Sequence, residues 1–185
     1  MIKIATILPY KENYTYTNAG AAALWVRDFF KYSKYKNDNY IFGSTSTKDY
    51  LTKNYININL NNNAKFSSVT TQYCNSIIKK IKNKFDIVEI HNRPLVFMYL
   101  KKQIDSKFII HFHNDPLSMK GSKTIKQRLF LLKNADKIIF ISKWVQKRFF
   151  EGIDQKLVID TDVVYHSIEK EKKISKKKNN KVFVG

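Results

Sequence analysis

DIVEIHNRPLVFMYLKKQIDSKFIIHFHNDP, residues 86–116, contains the clearest structural pattern in the sequence. Two short apolar runs, Asp86 to Ile90 and Phe108 to Phe112, flank a stretch with helical character from Pro94 to Lys101. Short apolar runs bounded by turn residues are typical of strands that are buried on both faces of a sheet. A strand, a helix and a second strand in this order predict a βαβ unit with parallel strands.

The same alternation continues on both sides of this unit. Further strands are predicted at 2–8, 40–42, 55–60, 137–141 and 163–165, and further helices at 19–32, 67–82, 124–132 and 143–150. We therefore predict an α/β fold: a Rossmann-like, mostly parallel sheet with helices on both faces. For the first helix we predict Asn18 as the N-cap and Leu24, Phe29 and Tyr32 near one face.

Composition sets limits on the class of protein. The chain has 185 residues, 34 Lys and Arg against 15 Asp and Glu, and a net charge of +19. Such a charge favours anionic partners, but the abundance of Lys, Asn and Ile is equally typical of an AT-rich gene. No basic patch interleaved with aromatic residues is recognisable, so we predict no nucleic-acid partner. The single cysteine, Cys74, forms no intramolecular disulfide, and a cytoplasmic location is expected.

The composition changes near the C-terminal end of the sequence. Residues 1–168 have the pattern of one Rossmann-like domain, while 169–181 are dominated by lysine and have too few apolar residues for a core. Residues 182–185, VFVG, again resemble a strand. We expect 169–181 to be a linker and 182–185 to be the first strand of a second domain, so that the sequence is a fragment of a longer chain.

Candidate site residues follow the predicted strands. Ligands of open parallel sheets bind beyond the carboxyl ends of the strands, and polar residues cluster there. The candidates are Tyr10, Ala19, Gly20, His91, Asn92, His113, Asn114, Asp115 and Ser142. Gly20 lies at the start of the first helix, where free N–H groups favour phosphate, whereas Ser142 is equally suited to cap the helix that follows it.

A metal site is an alternative interpretation of the histidines. His111, His113 and Asp115 have the HxHxD spacing of metallohydrolases, and residues two apart on a strand face the same side. Together with His91 they have the chemistry to ligate Zn²⁺. However, Pro116 stands where the metallo-β-lactamase pattern has another histidine, and paired antiparallel strands are not predicted. We favour an assignment without a metal.

Several segments, taken in order, resemble the N-terminal domain of family 4 glycosyltransferases, which have the GT-B fold. Residues 86–92 resemble the family's D-V-V-H-x-H-n strand, and 108–114 its v-v-x-T-x-H-D strand. The segment 135–145, ADKIIFISKWV, resembles A-D-x-i-i-a-v-S-x-x-v most closely, and 163–169 resembles V-I-x-N-G-V-D. The chain departs from the family in having a single glycine, Gly20, in place of a pair, and Asn114 in place of an aspartate.

This resemblance implies a function and roles for the candidates. The protein would be the acceptor-side half of a retaining enzyme that transfers a hexose from a nucleotide-sugar to a glycan or lipid-linked acceptor in cell-surface polysaccharide or lipopolysaccharide synthesis. His113 would be catalytic, and the amides of Gly20 and Ala19 would bind the donor phosphates. The remaining candidate residues would line the cleft; these are Tyr10, His91, Asn92, Asn114, Asp115 and Ser142.

The resemblance also implies partners. No metal or other cofactor is expected, and the fragment alone would be inactive because the donor-binding residues lie beyond Gly185. Lys120, Lys123, Lys126 and Arg128 could place the protein at the inner, anionic face of a membrane. A sugar- or nucleotide-binding module without catalysis is the alternative from another functional class.

Overall fold

The fold is a seven-stranded parallel sheet with helices on both faces. A computed structural model describes residues 2–60, 67–82, 84–154 and 160–166. The strands are β1 Ile4–Ile7, β2 Asn39–Gly43, β3 Tyr55–Asn57, β4 Ile87–His91, β5 Lys107–Phe112, β6 Lys137–Phe140 and β7 Thr161–Val163. The helices are α1 Ala21–Tyr32, α2 Val69–Ile81, α3 Pro94–Leu100, α4 Ile125–Asn134 and α5 Lys143–Phe150, with a 3₁₀ turn at Pro116–Ser118. The Rossmann-like prediction is confirmed.

The strand order identifies where a ligand can bind. The order is β3-β2-β1-β4-β5-β6-β7, and each neighbouring pair is parallel. From β1 the chain adds β2 and then β3 on one side. It then crosses to β4 on the other side of β1 and adds β5, β6 and β7 in order. In sheets of this kind the crevice between the two central strands, outside their carboxyl ends, is the usual binding site.

Alternate residues of the strands supply the larger core. Ala5 and Ile7 of β1, and Val88 and Ile90 of β4, are fully buried on the face that carries most of the helices. The opposite face is covered by α1, whose buried side chains are Ala22, Ala23, Trp25 and Val26. The apolar runs of the strands are thus explained by burial on both faces.

The start and orientation of α1 differ from the prediction. The N-cap is Gly20 and not Asn18, and the side chain of Glu12 accepts the N–H of Ala23 in place of a local cap. The buried face is also different, since Leu24 and Phe29 are 37% and 39% exposed. The small side chains at the start of α1 let the helix approach the sheet closely, and this contact overrides the local apolar pattern.

The C-terminal limit of the sheet is also shifted. The last strand is β7, Thr161–Val163, whereas 163–165 was predicted. Lys137 of β6 forms ion pairs of 3.0 Å with Asp160 and 2.6 Å with Asp162, which hold β7 against β6 at the edge of the sheet. The predicted linker, 169–181, and the predicted strand of a second domain, 182–185, lie outside the described residues.

One of the four cations assigned to a membrane surface has a structural role. Lys120, Lys123 and Lys126 are exposed, but Arg128 is only 3% exposed. Its guanidinium donates hydrogen bonds to the backbone carbonyls of Phe149 and Glu151 at the end of α5. Arg128 therefore links α4 to α5, and its assignment to a membrane surface was wrong. Among the described residues, no helix is both long and apolar enough to cross a membrane.

Candidate functional site

A cleft of about 450 Å³ lies at the reversal point of the sheet. Its walls come from the loops that follow β1, β4 and β5, as the strand order requires. We call it the switch-point cleft; the polar residues that line it are Tyr10, Lys11, Glu12, Thr70, Asn92, Arg93, Asn114, Ser118 and Lys120. A second cavity of about 440 Å³ shares Tyr10 and Lys11 and extends the cleft towards β2 and β3. Three of the predicted cleft residues, Tyr10, Asn92 and Asn114, are therefore brought together.

The sequence did not place three cations in the cleft, and one of them, Lys120, had been assigned to a membrane surface. Lys11, Arg93 and Lys120 all line the cleft. The guanidinium of Arg93 lies 5.3 Å from the ring centre of Tyr10, and its Nε is buried without a hydrogen-bond partner. Arg93 directly follows Asn92, so its position after β4 was a usable signal. Lys11 and Lys120 had no such signal in the sequence, because lysine is common throughout the chain.

Asn92 joins the ends of β4 and β5. Its backbone has a positive φ of 52°, a conformation that asparagine tolerates better than most residues. Its N–H donates to the carbonyl of His111 at 2.8 Å, and its Oδ1 accepts the N–H of His113 at 2.7 Å. The sharp turn directs the chain from β4 into α3, so that Arg93 reaches the cleft.

The amino end of α1 contains a carboxylate. Glu12 Oε1 accepts the N–H of Ala23 at 3.1 Å, and a Cβ added to Gly20 would overlap this carboxylate. A larger residue in place of Gly20 would require the Glu12 carboxylate to move. A negative charge is favourable at the positive end of a helix dipole. A phosphate that bound at Gly20 and Ala19 would meet the same positive end of the helix, next to the Glu12 carboxylate.

His91 and His113 lie together, with His111 beside them, on the α1 side of the sheet. His91 Nδ1 and His113 Nε2 are 2.8 Å apart, and the rings of His91 and His111 stack with centres 4.3 Å apart. Trp25 of α1 contacts all three imidazoles edge-on, with ring centres 5.1–5.4 Å away. We call His91, His111 and His113 the three-histidine cluster. None of its members is among the residues that line the switch-point cleft.

Burial keeps these imidazoles neutral. Burial, with a smaller contribution from a neighbouring imidazole, lowers the pKa of His111 to about 3 and that of His113 to about 4. The pKa of His91 is lowered well below its usual value for the same reasons. Neutral imidazole is a hydrogen-bonding group and a metal ligand, but it does not supply a positive charge at neutral pH.

Asp115 and Ser142, also predicted for the cleft, have structural partners. Asp115 accepts the N–H of Leu117 at 3.0 Å and forms an ion pair of 3.1 Å with Arg148, which lowers the pKa of its carboxyl group. Ser142 caps α5 by accepting the N–H of Val145 at 3.2 Å. The alternative HxHxD metal site therefore lacks its predicted carboxylate ligand, because Asp115 is not in the group formed by the three histidines.

The fold is shared with solved structures at low sequence identity. Sucrose-phosphate synthase from Thermosynechococcus elongatus matches with a TM-score of 0.60 and 8% identity over 89% of this chain and 90% of that chain. Anabaena HepE in complex with UDP and glucose matches with a TM-score of 0.63 and 15% identity, and HepE in complex with UDP with 0.61 and 13%. These matches cover 90% and 91% of this chain.

The comparisons define the class of fold. This chain spans about 45% of the length of the HepE chains. No family model matches the sequence, and no curated protein sequence matches it. The molecule therefore has the Rossmann-like architecture found in these GT-B neighbours, with its cleft at the reversal point of the strand order.

Proposed function

We propose that this domain is the acceptor-side half of a glycosyltransferase that uses a nucleotide-sugar donor. The switch-point cleft carries the proposal: three cations, an aromatic ring and two asparagines surround a cavity of about 450 Å³. Cations and N–H groups bind phosphates, and amide side chains bind sugar hydroxyl groups. The shared fold with UDP-bound HepE supports the same class of ligand.

In this proposal the two sides of the β4 and β5 strand ends have different roles. Asn92 and Arg93 contact ligand from the cleft, while His113 acts at the strand end on the transferring sugar. His113 is held by Asn92 through its backbone N–H and by His91 through its ring. Preorganised hydrogen-bond donors around the leaving phosphate would supply most of the rate. Retention of configuration, and a transfer step that uses no metal or other cofactor, follow from the family resemblance.

The donor phosphates are assigned to the amino end of α1. Its free N–H groups and the adjacent Lys11 favour phosphate, and the side chain of Glu12 would have to rotate away. The nucleotide and the rest of the donor are assigned to a second domain that follows this one, so transfer requires both. The product is assigned to cell-surface polysaccharide or lipopolysaccharide synthesis on the cytoplasmic side.

A membrane surface is proposed on the amino end of α4. Lys123 and Lys126 are exposed there beside Ile125 and Leu129, which are 45% and 36% exposed. Apolar side chains four residues apart lie on one side of a helix, and flanking lysines attract anionic lipid. This arrangement suits an enzyme with a lipid-linked acceptor. Binding to anionic vesicles that was insensitive to salt, or equal on neutral vesicles, would contradict it.

Ligand binding to this domain tests the proposal first. We expect saturation-transfer NMR to detect weak binding of UDP and UDP-glucose to the domain through their phosphate groups, since the rest of the donor is assigned to the second domain, and Arg93→Ala to weaken both. Lys107→Ala is the matched control, because Lys107 is an exposed cation at the amino end of β5, away from the cleft. Equal loss in the two variants would attribute binding to net charge alone.

Turnover is tested on a chain that includes the second domain. We expect transfer from a nucleotide-sugar to be lost in His113→Ala and strongly reduced in Arg93→Ala, with KM for the donor raised in the latter. A chain that binds nucleotide-sugar but transfers nothing to any acceptor or to water would instead be a binding module. Failure to bind any nucleotide-sugar would overturn the proposal.

A further inference from the structure

Three imidazoles from two neighbouring strands converge under one tryptophan. His91 of β4 is the register partner of His111 of β5, and His113 follows two residues later on the same side. The exposed fractions of the three side chains are 1%, 5% and 8%. Each offers one ring nitrogen, and these three nitrogens all lie within 4.8 Å of one another.

The hydrogen bonds of the domain leave most of this cluster unsatisfied. One contact, between His91 Nδ1 and His113 Nε2, is made inside it. Both ring nitrogens of His111, and Nδ1 of His113, are buried without a hydrogen-bond partner. Buried polar groups in proteins are nearly always paired, so three unpaired nitrogens in one cluster require an explanation.

We propose that the three-histidine cluster is a binding site for a transition-metal ion, with Zn²⁺ as the best fit. Imidazole nitrogens are borderline-soft ligands suited to zinc, and three histidines with an open fourth position form a known type of zinc coordination. Metal binding would satisfy nitrogens that the protein leaves unpaired. It would also use all three histidines in the neutral form that burial enforces.

The ring nitrogens need to move only slightly to reach the spacing of zinc ligands. Zn–N bonds of about 2.05 Å in a tetrahedral arrangement place ligand nitrogens about 3.4 Å apart. The widest separation in the cluster is at most 4.8 Å, and the hydrogen-bonded pair at 2.8 Å would have to open slightly. Rotation of the imidazole rings about χ2 is a soft motion and supplies changes of this size.

An entry path and a nearby carboxyl group are present. A groove of about 350 Å³ between α1 and the sheet is lined by Trp25, His91, His111 and Glu89. Glu89 precedes His91 by two residues on the same face of β4, so its carboxyl group lies on the side of the sheet where the ion would bind. The ion would enter from this groove, with water in its fourth position.

The inference does not rest on the proposed sugar transfer, and the two compete for His113, because an imidazole that holds the ion is not available to the transferring sugar. His111 distinguishes the metal site from the proposed transferase, because it is a metal ligand here and has no assigned role in sugar transfer. Asp115 takes no part, because it pairs with Arg148. The cluster also differs from the family pattern described above, which has a threonine at the position of His111.

Metal titration of the domain tests the site. We expect Zn²⁺ to bind with one ion per chain in calorimetry, and Co²⁺ to give the strong visible bands of tetrahedral coordination. His111→Asn should weaken binding by about tenfold or more. His166→Ala is the matched control: His166 is exposed, and its ring centre is 6.0 Å from that of His113. We expect this variant to bind within about threefold of the original chain, since its imidazole is not among the three ligands.

A second measurement uses the original chain, and so tests the site even if a variant fails to fold. Long-range ¹⁵N–¹H spectra of the original chain should show three imidazoles shifting together on addition of one equivalent of Zn²⁺, with the fourth unchanged. Binding that survives His111→Asn, or binding lost in His166→Ala alone, would overturn the proposal. So would the absence of any shift at a tenfold excess of Zn²⁺. UDP binding, measured separately, reports on the proposed function and not on this site.

Discussion

The carboxylate of Glu12 accepts the backbone N–H of Ala23 at 3.1 Å, and so lies at the amino end of α1. Gly20 makes room for it, because a side chain at that position would overlap Glu12. A negative group of the protein thus lies where the donor phosphates are assigned. Phosphate and Glu12 would compete for the positive end of the same helix dipole.

Removing the charge of Glu12 should strengthen phosphate binding. We expect Glu12→Gln to tighten UDP binding by roughly two- to fivefold at low salt, the range that a charge at a helix terminus supports. Asp105→Asn is the control, since Asp105 is an exposed carboxylate on the loop that precedes β5. Titration calorimetry or NMR at several salt concentrations measures the change. Weaker binding in Glu12→Gln would place the phosphates elsewhere.

Asn92 should be sensitive to substitution for two separable reasons. Asn92→Gly keeps the positive φ of 52° but removes the acceptor for the N–H of His113, at a cost of about 1–3 kcal/mol. Asn92→Ala loses the same hydrogen bond and adds about 1–2 kcal/mol of backbone strain. Urea unfolding of both variants measures the two contributions. Equal stabilities would show that the backbone conformation carries no cost.

Glu89 should make the stability of the domain depend on pH. Burial raises the pKa of its carboxyl group, which lies 3.0 Å from the hydroxyl of Thr6. The folded state therefore holds a proton more tightly than the unfolded chain. The stability this proton gives is complete below the unfolded pKa of about 4.3 and is lost as pH rises through the folded pKa.

Glu89→Gln removes this titration and keeps the neutral shape. We expect the variant to gain stability over the original chain as pH rises from about 4.3 towards neutrality. Thermal or urea unfolding in EDTA, across this range, measures the difference without any contribution from metal. A difference that stays constant with pH, or that shrinks as pH rises, would contradict the assignment.

Arg128 should be important for stability although the chain is rich in exposed cations. Arg128→Ala removes two hydrogen bonds to the carbonyls of Phe149 and Glu151, and leaves a cavity between α4 and α5. We expect a loss of about 2–4 kcal/mol, because charged donors to buried carbonyls are expensive to remove. Lys126→Ala on the same helix should change stability by less than about 0.5 kcal/mol. Denaturant unfolding of the two variants makes the comparison.

Most of the architecture was recoverable from local patterns. Apolar runs such as 108–112 and capping residues such as Ser142 act over a few residues, so spacing alone predicted the strands and the parallel sheet. The carboxyl ends of the strands then identified Tyr10, Asn92 and Asn114 as cleft residues. The cleft cations Lys11 and Lys120 were not recoverable, because no local feature distinguishes them from other lysines.

By itself, the sequence determined the class of fold and the edge of the sheet at which the cleft lies, because periodicity and strand ends are properties of neighbouring residues. Only the tertiary structure decided that Glu12 fills the amino end of α1, that Arg128 is buried, and that His111 joins His91 and His113. Each of these depends on register and packing between segments far apart in the chain. Such contacts form only when the whole sheet is assembled, and local sequence patterns do not encode them one at a time.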